Sequence, residues 1–281
     1  MRPATFESGG ARLAGVLGEA EGEELRGGVA LVHGWSGYRI GPHRILTRTA
    51  RRLNAAGYTT LHFDLRGRGD SEGEYERTDL DMMIADTQRA MAFLRAEAGC
   101  ETVSLLGICS GANVALGAAT LESDVPAVVA WSALPFQKQA EGQASVRRKA
   151  NLAAYARKLL RPATWAKLLT GRVRFDLVGK ALKADGAATA DGRNLKDSSR
   201  DILADLATYR GRILFVHGDR DAEGMAGRKH FMDFCGENGV DAEFHLVEGA
   251  NHSFYSLAWE AEIAGRSIRF LDTAHEDSKT P

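Results

Sequence analysis

Along the chain, short runs of aliphatic and β-branched residues alternate with longer stretches of helical spacing. Residues 4–8 and 12–19 predict a hairpin about Gly9-Gly10. Gly28-Val29-Ala30-Leu31-Val32 is a short apolar run ending at His33-Gly34, as suits a buried strand. Residues 43–56 predict a helix closed by Gly57, and residues 58–64 a second buried strand. Leu80, Met83, Ile84, Ala90, Met91 and Leu94 fall at helical spacing, so residues 79–98 predict a helix that stops at Gly99. Residues 102–106 are again strand-like, and an Ala-rich helix follows at once from 112 to 121. Strands are expected over 125–131, 212–216 and 242–247, with helices near 225–238 and 255–272.

Eight strand runs alternating with helices imply a mostly parallel eight-stranded α/β sheet with helices on both faces. Ligand chemistry then belongs in the loops at the carboxyl ends of the strands. The stretch 136–200 breaks the rhythm and reads as an inserted helical lid. Residues 1–135 and 201–273 then form the core, and 274–281 a frayed, disordered tail. The lid is basic: twelve Lys or Arg between Lys138 and Lys183 face only Glu141 and Asp176. This suits a solvated helix surface, or attraction for an anionic substrate, partner or membrane surface.

Composition narrows the classes. Lys+Arg is 36 against Asp+Glu 37, a net charge of -1, so nothing favours a nucleic-acid partner. Three cysteines are too few for a disulfide framework and suit a reducing compartment. The N-terminus has no apolar signal region, and no apolar run is long enough to span a bilayer. A cytoplasmic protein is the expectation. No Cys-x-x-Cys, His-x-x-x-His, phosphate loop or dinucleotide fingerprint is present, so no metal or cofactor is expected.

The chemistry concentrates at Gly107-Ile108-Cys109-Ser110-Gly111, between a strand and a helix, the setting of a nucleophile elbow. Its central residue is Cys109, where serine is the usual occupant. Two plainer readings stand beside it: Cys109 as a packed small hydrophobe, or Ser110 as a nucleophile one place out of register. A thiol nucleophile needs a base, and the base an orienting acid. His252 lies in the loop after the last strand. Asp219 and Asp221 lie in the loop after the preceding one, and Asp221, further along, is the better placed to turn back to His252. His62 and His217 sit on or beside strands and read as packed residues. The oxyanion hole is expected from the N–H of Ser110 at a helix N-terminus and the N–H of Trp35 in His33-Gly34-Trp35-Ser36-Gly37. Ser36, His43 and Trp165 are the candidate substrate contacts.

These motifs, with Asp64-Leu65-Arg66-Gly67-Arg68-Gly69-Asp70-Ser71 and Gly249-Ala250-Asn251-His252, resemble the α/β-hydrolase superfamily over residues 33–252. The order nucleophile, acid, histidine is the order of that superfamily. The cysteine elbow, Gly41-Pro42-His43-Arg44 and the stretch 155–171 resemble, more narrowly, the exosortase A system-associated hydrolases. Ser110 departs from that group, where an acidic residue often follows the cysteine. The implied activity is a cysteine-dependent hydrolase of carboxylic esters or thioesters, acting on a small acyl substrate through a thioester on Cys109. An acyltransferase on the same triad and a non-enzymatic binding relative are the alternatives.

Overall fold

The computed structural model describes residues 1–22, 25–136 and 195–278. Its sheet belongs to one compact unit, Met1–Pro135 with Ser198–Pro281. The expected lid over 136–200, its basic residues and Trp165 lie outside the described residues apart from the segment's two ends.

Eight strands form one sheet: β1 (Arg2–Ser8), β2 (Ala11–Gly18), β3 (Gly27–Val32), β4 (Tyr58–Phe63), β5 (Val103–Ile108), β6 (Ala127–Trp131), β7 (Arg212–Gly218) and β8 (Ala242–Val247). Their spatial order is β1-β2-β4-β3-β5-β6-β7-β8. β1 pairs antiparallel with β2, and β2 with β4; all other pairings are parallel. Gly9 and Gly10 both have positive φ, which a tight two-residue hairpin requires. The unbroken apolar runs of β3, β5 and β6 are buried at every position because helices cover both faces of the sheet. β1 lies at the edge and buries only alternate residues.

The helices among the described residues are α1 (Ile45–Ala55), α2 (Leu80–Ala98), α3 (Ser110–Ala119), α4 (Ile202–Leu206), α5 (Ala222–Asn238) and α6 (Leu257–Ser278), with 3-10 turns at Pro42–Arg44 and Tyr75–Arg77. Asp79 caps α2 by accepting the Met82 N–H at 2.9 Å, and Gly99 ends the helix with φ 64°. One face of the core joins Val29, Leu106 and Trp131 of the sheet to Leu53 of α1 and Ile263 and Leu271 of α6.

The expected frayed tail needs correction, because α6 continues to Ser278. Ala274 and His275 are buried, and His275 bridges the hydroxyls of Thr102 and Ser104 at 3.1 and 2.8 Å. Two hydroxyl partners beneath the sheet anchor a segment whose polar sequence reads as solvated.

Candidate active site at the carboxyl rim of the sheet

β5 ends at Ile108 and α3 begins at Ser110, so Cys109 alone makes the turn between them. Its φ of 59° and ψ of −132° lie where non-glycine residues rarely sit, a strain of roughly 1–3 kcal/mol. Two absences of side chain make the turn possible. A Cβ at Gly107 would sit 2.3 Å from the Gly111 carbonyl oxygen, and one at Gly111 would sit 2.4 Å from the His33 carbonyl oxygen. The Cys109 N–H donates to the Trp131 carbonyl at 2.8 Å, which ties the turn to β6.

Asp221 follows β7 and precedes the first turn of α5. His252 Nδ1–H donates to Asp221 Oδ2 at 2.6 Å, across the ends of β7 and β8. Asp219 has a different role: its N–H donates to the Val247 carbonyl at 3.2 Å, and its carboxylate lies 3.8 Å from Arg220. The structure therefore brings Asp221, not Asp219, to the imidazole. Two contacts that sequence reasoning missed hold the histidine loop. The Ser132 hydroxyl, just past β6, donates to the His252 carbonyl at 2.9 Å. The His43 Nε2–H donates to the Ser253 carbonyl at 2.6 Å. The one signal for Ser132 was its place directly after the strand next to the elbow strand.

The electrostatics couple the three groups. Burial pushes the Cys109 thiol up, but the hydrogen bond and charge of His252, together with the N–H and hydroxyl of Ser110, hold it below its ordinary value. Burial works against the His252 imidazolium as well. The hydrogen bonds that its ring makes to Asp221 and Cys109 outweigh it and raise His252 to about 10. Burial raises Asp221, and His252 with the Gly224 N–H bring it below the usual carboxylate range. Sulfur and imidazole thus each favour the charged form of the other, against the burial that opposes both. His217 lies nearby but is fully buried; its Nε2–H donates to the Ala133 carbonyl at 3.3 Å, and burial lowers it to about 4. Like His62, which burial also lowers to about 4, it stays neutral at pH 7.

The loop after β3 is held from several sides. His33 Nδ1–H donates to the Gly34 carbonyl at 2.7 Å while its Nε2 accepts the Leu65 N–H at 3.1 Å, and burial lowers it to about 4. Buried Asp64 accepts the Arg39 N–H at 2.6 Å and the Asp70 N–H at 2.9 Å, and it pairs with the Arg39 guanidinium. Arg68 donates to the Trp35 carbonyl at 2.8 Å and lies over the Trp35 and Tyr75 rings. The Arg-Gly-Arg-Gly-Asp-Ser motif therefore acts by fixing this loop. The Trp35 N–H, expected to face a substrate oxygen, donates instead to the Ser110 hydroxyl at 2.6 Å. Ser36 is exposed.

His43, a candidate substrate contact, has both ring nitrogens engaged within the protein. Its Nε2 is spent on Ser253, its Nδ1 accepts from Arg48 at 3.1 Å, and its ring lies tilted against Tyr255 with centroids 4.7 Å apart. Arg48 in turn forms a bidentate pair with buried Glu260, at 2.6 and 2.5 Å. The ring is a strut between α1 and the histidine loop. Among the described residues, no group of three or more His, Cys, Asp or Glu side chains is placed to hold a metal, and no helix is long and apolar enough to cross a membrane.

The fold has known relatives. An esterase from Pyrococcus furiosus is 18% identical with a TM-score of 0.67, covering 97% of this chain and 90% of that one. Est1E from Butyrivibrio proteoclasticus, with bound ferulic acid, is 17% identical with a TM-score of 0.66, covering 95% and 97%. An alpha-beta serine hydrolase homologue from Coxiella burnetii is 15% identical with a TM-score of 0.63, covering 96% and 97%. No curated protein sequence matches. Residues 29–266 match the alpha/beta hydrolase family. That match takes in β3 to β8, the elbow and the His252 loop, and the protein belongs to the α/β-hydrolase family.

Proposed function

We propose that this protein is a cysteine-dependent hydrolase of carboxylic esters or thioesters, with Cys109 as nucleophile, His252 as base and acid, and Asp221 as its orienting partner. The observation that carries the reading is the 2.6 Å bond from His252 Nδ1 to Asp221, with Cys109 among the groups that raise the same imidazole. In the first step the thiolate adds to the acyl carbon and the carbonyl π pair moves onto oxygen. The oxyanion collapses, the bond to the leaving group breaks, and the imidazolium proton goes to the departing alkoxide or thiolate. In the second step His252 takes a proton from water as its oxygen adds to the thioester. The second oxyanion then expels the Cys109 thiolate and releases the carboxylic acid.

The sulfur sets the substrate class. Thiolate is a good leaving group, so collapse back to substrate competes when the other leaving group is poor, as in an unactivated amide. Esters and thioesters have the easier leaving groups. Serine hydrolase and esterase relatives share the fold, and the thiol distinguishes this site from a hydroxyl nucleophile. The exosortase-associated resemblance belongs to this proposal too, resting on the cysteine elbow.

Intact mass spectrometry after exposure to a panel of acyl esters and thioesters tests the reading. The expected result is a mass increment of one acyl group on the native protein and none on Cys109→Ala. Turnover by Cys109→Ala at the native rate would overturn it. Transfer of the acyl group to added alcohols or thiols in preference to water would replace hydrolase by acyltransferase.

A further inference from the structure

Ser110 is the first residue of α3, directly after the elbow cysteine. Its hydroxyl oxygen accepts the Trp35 N–H at 2.6 Å, so a backbone donor of the loop after β3 ends on a side chain at this rim. A hydroxyl that accepts such a bond still has its own proton to give. The neighbouring groups define where that proton can go. A Cβ on Gly34 would lie 3.4 Å from the Cys109 Cβ and 3.7 Å from Ser110 Oγ, so the bare Gly34 backbone faces both side chains at once. Burial pushes the Cys109 thiol up, and the Ser110 hydroxyl is among the hydrogen-bonding groups that bring it back down.

We propose that the Ser110 side chain is a hydrogen-bond relay of the active site: its oxygen holds the Trp35 N–H, and its proton is given to the Cys109 sulfur at rest and to the acyl oxygen when that oxygen becomes negative. The inference rests on the hydrolase reading above. It gives the expected oxyanion hole a different form. The Ser110 N–H donates directly, whereas the Trp35 N–H acts through a hydroxyl that is polarised by accepting from it.

The test compares Ser110→Ala with Ser110→Thr, which keeps a hydroxyl. The first measurement is the pH dependence of Cys109 alkylation by iodoacetamide, read by peptide mass spectrometry. The expected result is a midpoint raised by about one pH unit in Ser110→Ala and restored in Ser110→Thr, as for loss of one hydrogen bond to a charged group. The second measurement is turnover of 4-nitrophenyl acetate. A donor that strengthens in the transition state predicts kcat lower by about tenfold in Ser110→Ala with KM nearly unchanged, part of the loss being offset by the freed Trp35 N–H. An unmoved midpoint overturns the relay. So does an unchanged or raised kcat, because it would make the hydroxyl a plug that substrate must displace. If native Cys109 resists alkylation at every pH below 8, the hydrolase reading fails first, and the inference falls with it.

Discussion

Gly224 offers a way to damage the proposed triad without touching a reacting atom. It sits in the first turn of α5, and a Cβ built there lies 2.2 Å from Asp221 Oδ2, the oxygen that accepts from His252. Side-chain carbons do not approach an oxygen closer than about 3.0 Å, so in Gly224→Ala the carboxylate must withdraw by at least ~0.8 Å. The 2.6 Å bond to His252 then stretches past 3 Å or swings out of line, and a displacement of about 1 Å in such an arrangement costs on the order of 100-fold in rate. Stability should move little or rise, since alanine is preferred over glycine within a helix by up to ~1 kcal/mol and the moving group ends a short side chain. The assay pairs thermal unfolding with the rate of Cys109 alkylation against pH and with ester turnover. The expected result is a native or higher Tm, a weakened imidazolium, an alkylation midpoint shifted upward and turnover lower by about two orders of magnitude. A folded Gly224→Ala protein with the native pH profile and rate would refute the Asp221–His252 coupling.

Iodoacetamide should label Cys109 at pH 7 and spare Cys100 and Cys235, which burial raises to about 11; peptide mapping reads the selectivity. The rate of ester turnover should fall on the acid side only below the ordinary thiol range, because Cys109 is lowered, and on the alkaline side near pH 10, where His252 loses its proton. In stability, the raised His252 contributes fully below about pH 6.5 and loses that contribution as pH climbs to about 10, whereas the lowered Asp221 loses its own as pH falls; denaturant midpoints across pH check both signs. Gly111→Ala drives a Cβ into the His33 carbonyl at 2.4 Å, a backbone clash with no flexible end to yield, and should cost more than about 3 kcal/mol or abolish folding, read by urea denaturation. Arg48→Ala takes the bidentate partner from the buried Glu260 carboxylate, leaving it only the 3.7 Å approach of His43, and removes the Arg48 bond to the His43 ring; about 1–3 kcal/mol of stability should go, after discounting for the part-exposed arginine, and turnover should fall with it.

The fold was legible because its strands are of two kinds with distinct patterns. Val29-Ala30-Leu31-Val32 is apolar at every position, which only a strand covered on both faces tolerates, and β3 is buried throughout. Gly57 and Gly99 stand where helices end, and both adopt positive φ there. The short α4 escaped notice because five residues show little more than one turn of periodicity; its mark is the Asp201 cap, whose carboxylate accepts the Ala204 N–H at 3.1 Å. At the site, the spacing of Cys109, Asp221 and His252 along the chain carried the main elements. What stayed hidden were bonds between residues distant in sequence. His43 and Ser253 are 210 residues apart, and no local pattern distinguishes a ring that braces a loop from one that meets substrate. Ser110 was read for its N–H, while the hydroxyl's bond to Trp35 depends on how closely the elbow and the β3 loop approach, a distance set by Gly34 and Gly111.

A single physical arrangement connects the glycines, the strain and the chemistry. An elbow with positive φ at Cys109 is unfavourable by itself, and it persists because Gly107 and Gly111 let neighbouring backbone close around it. That closure puts the sulfur at the start of α3, where the helix dipole and the Ser110 N–H favour negative charge. Burial opposes the charge, so the site needs a counter-ion, and His252, oriented by buried Asp221 and raised by both Asp221 and Cys109, is the group suited to supply it. Each requirement is met by a different strand end: β5 for the sulfur, β7 for the carboxylate, β8 for the imidazole, with β6 holding both the elbow N–H and, through Ser132, the imidazole loop. A parallel sheet brings those four ends to one rim. Cys109, Asp221 and His252 can therefore be far apart in the chain and still gather at the ends of neighbouring strands, His252 and Asp221 within hydrogen-bonding distance.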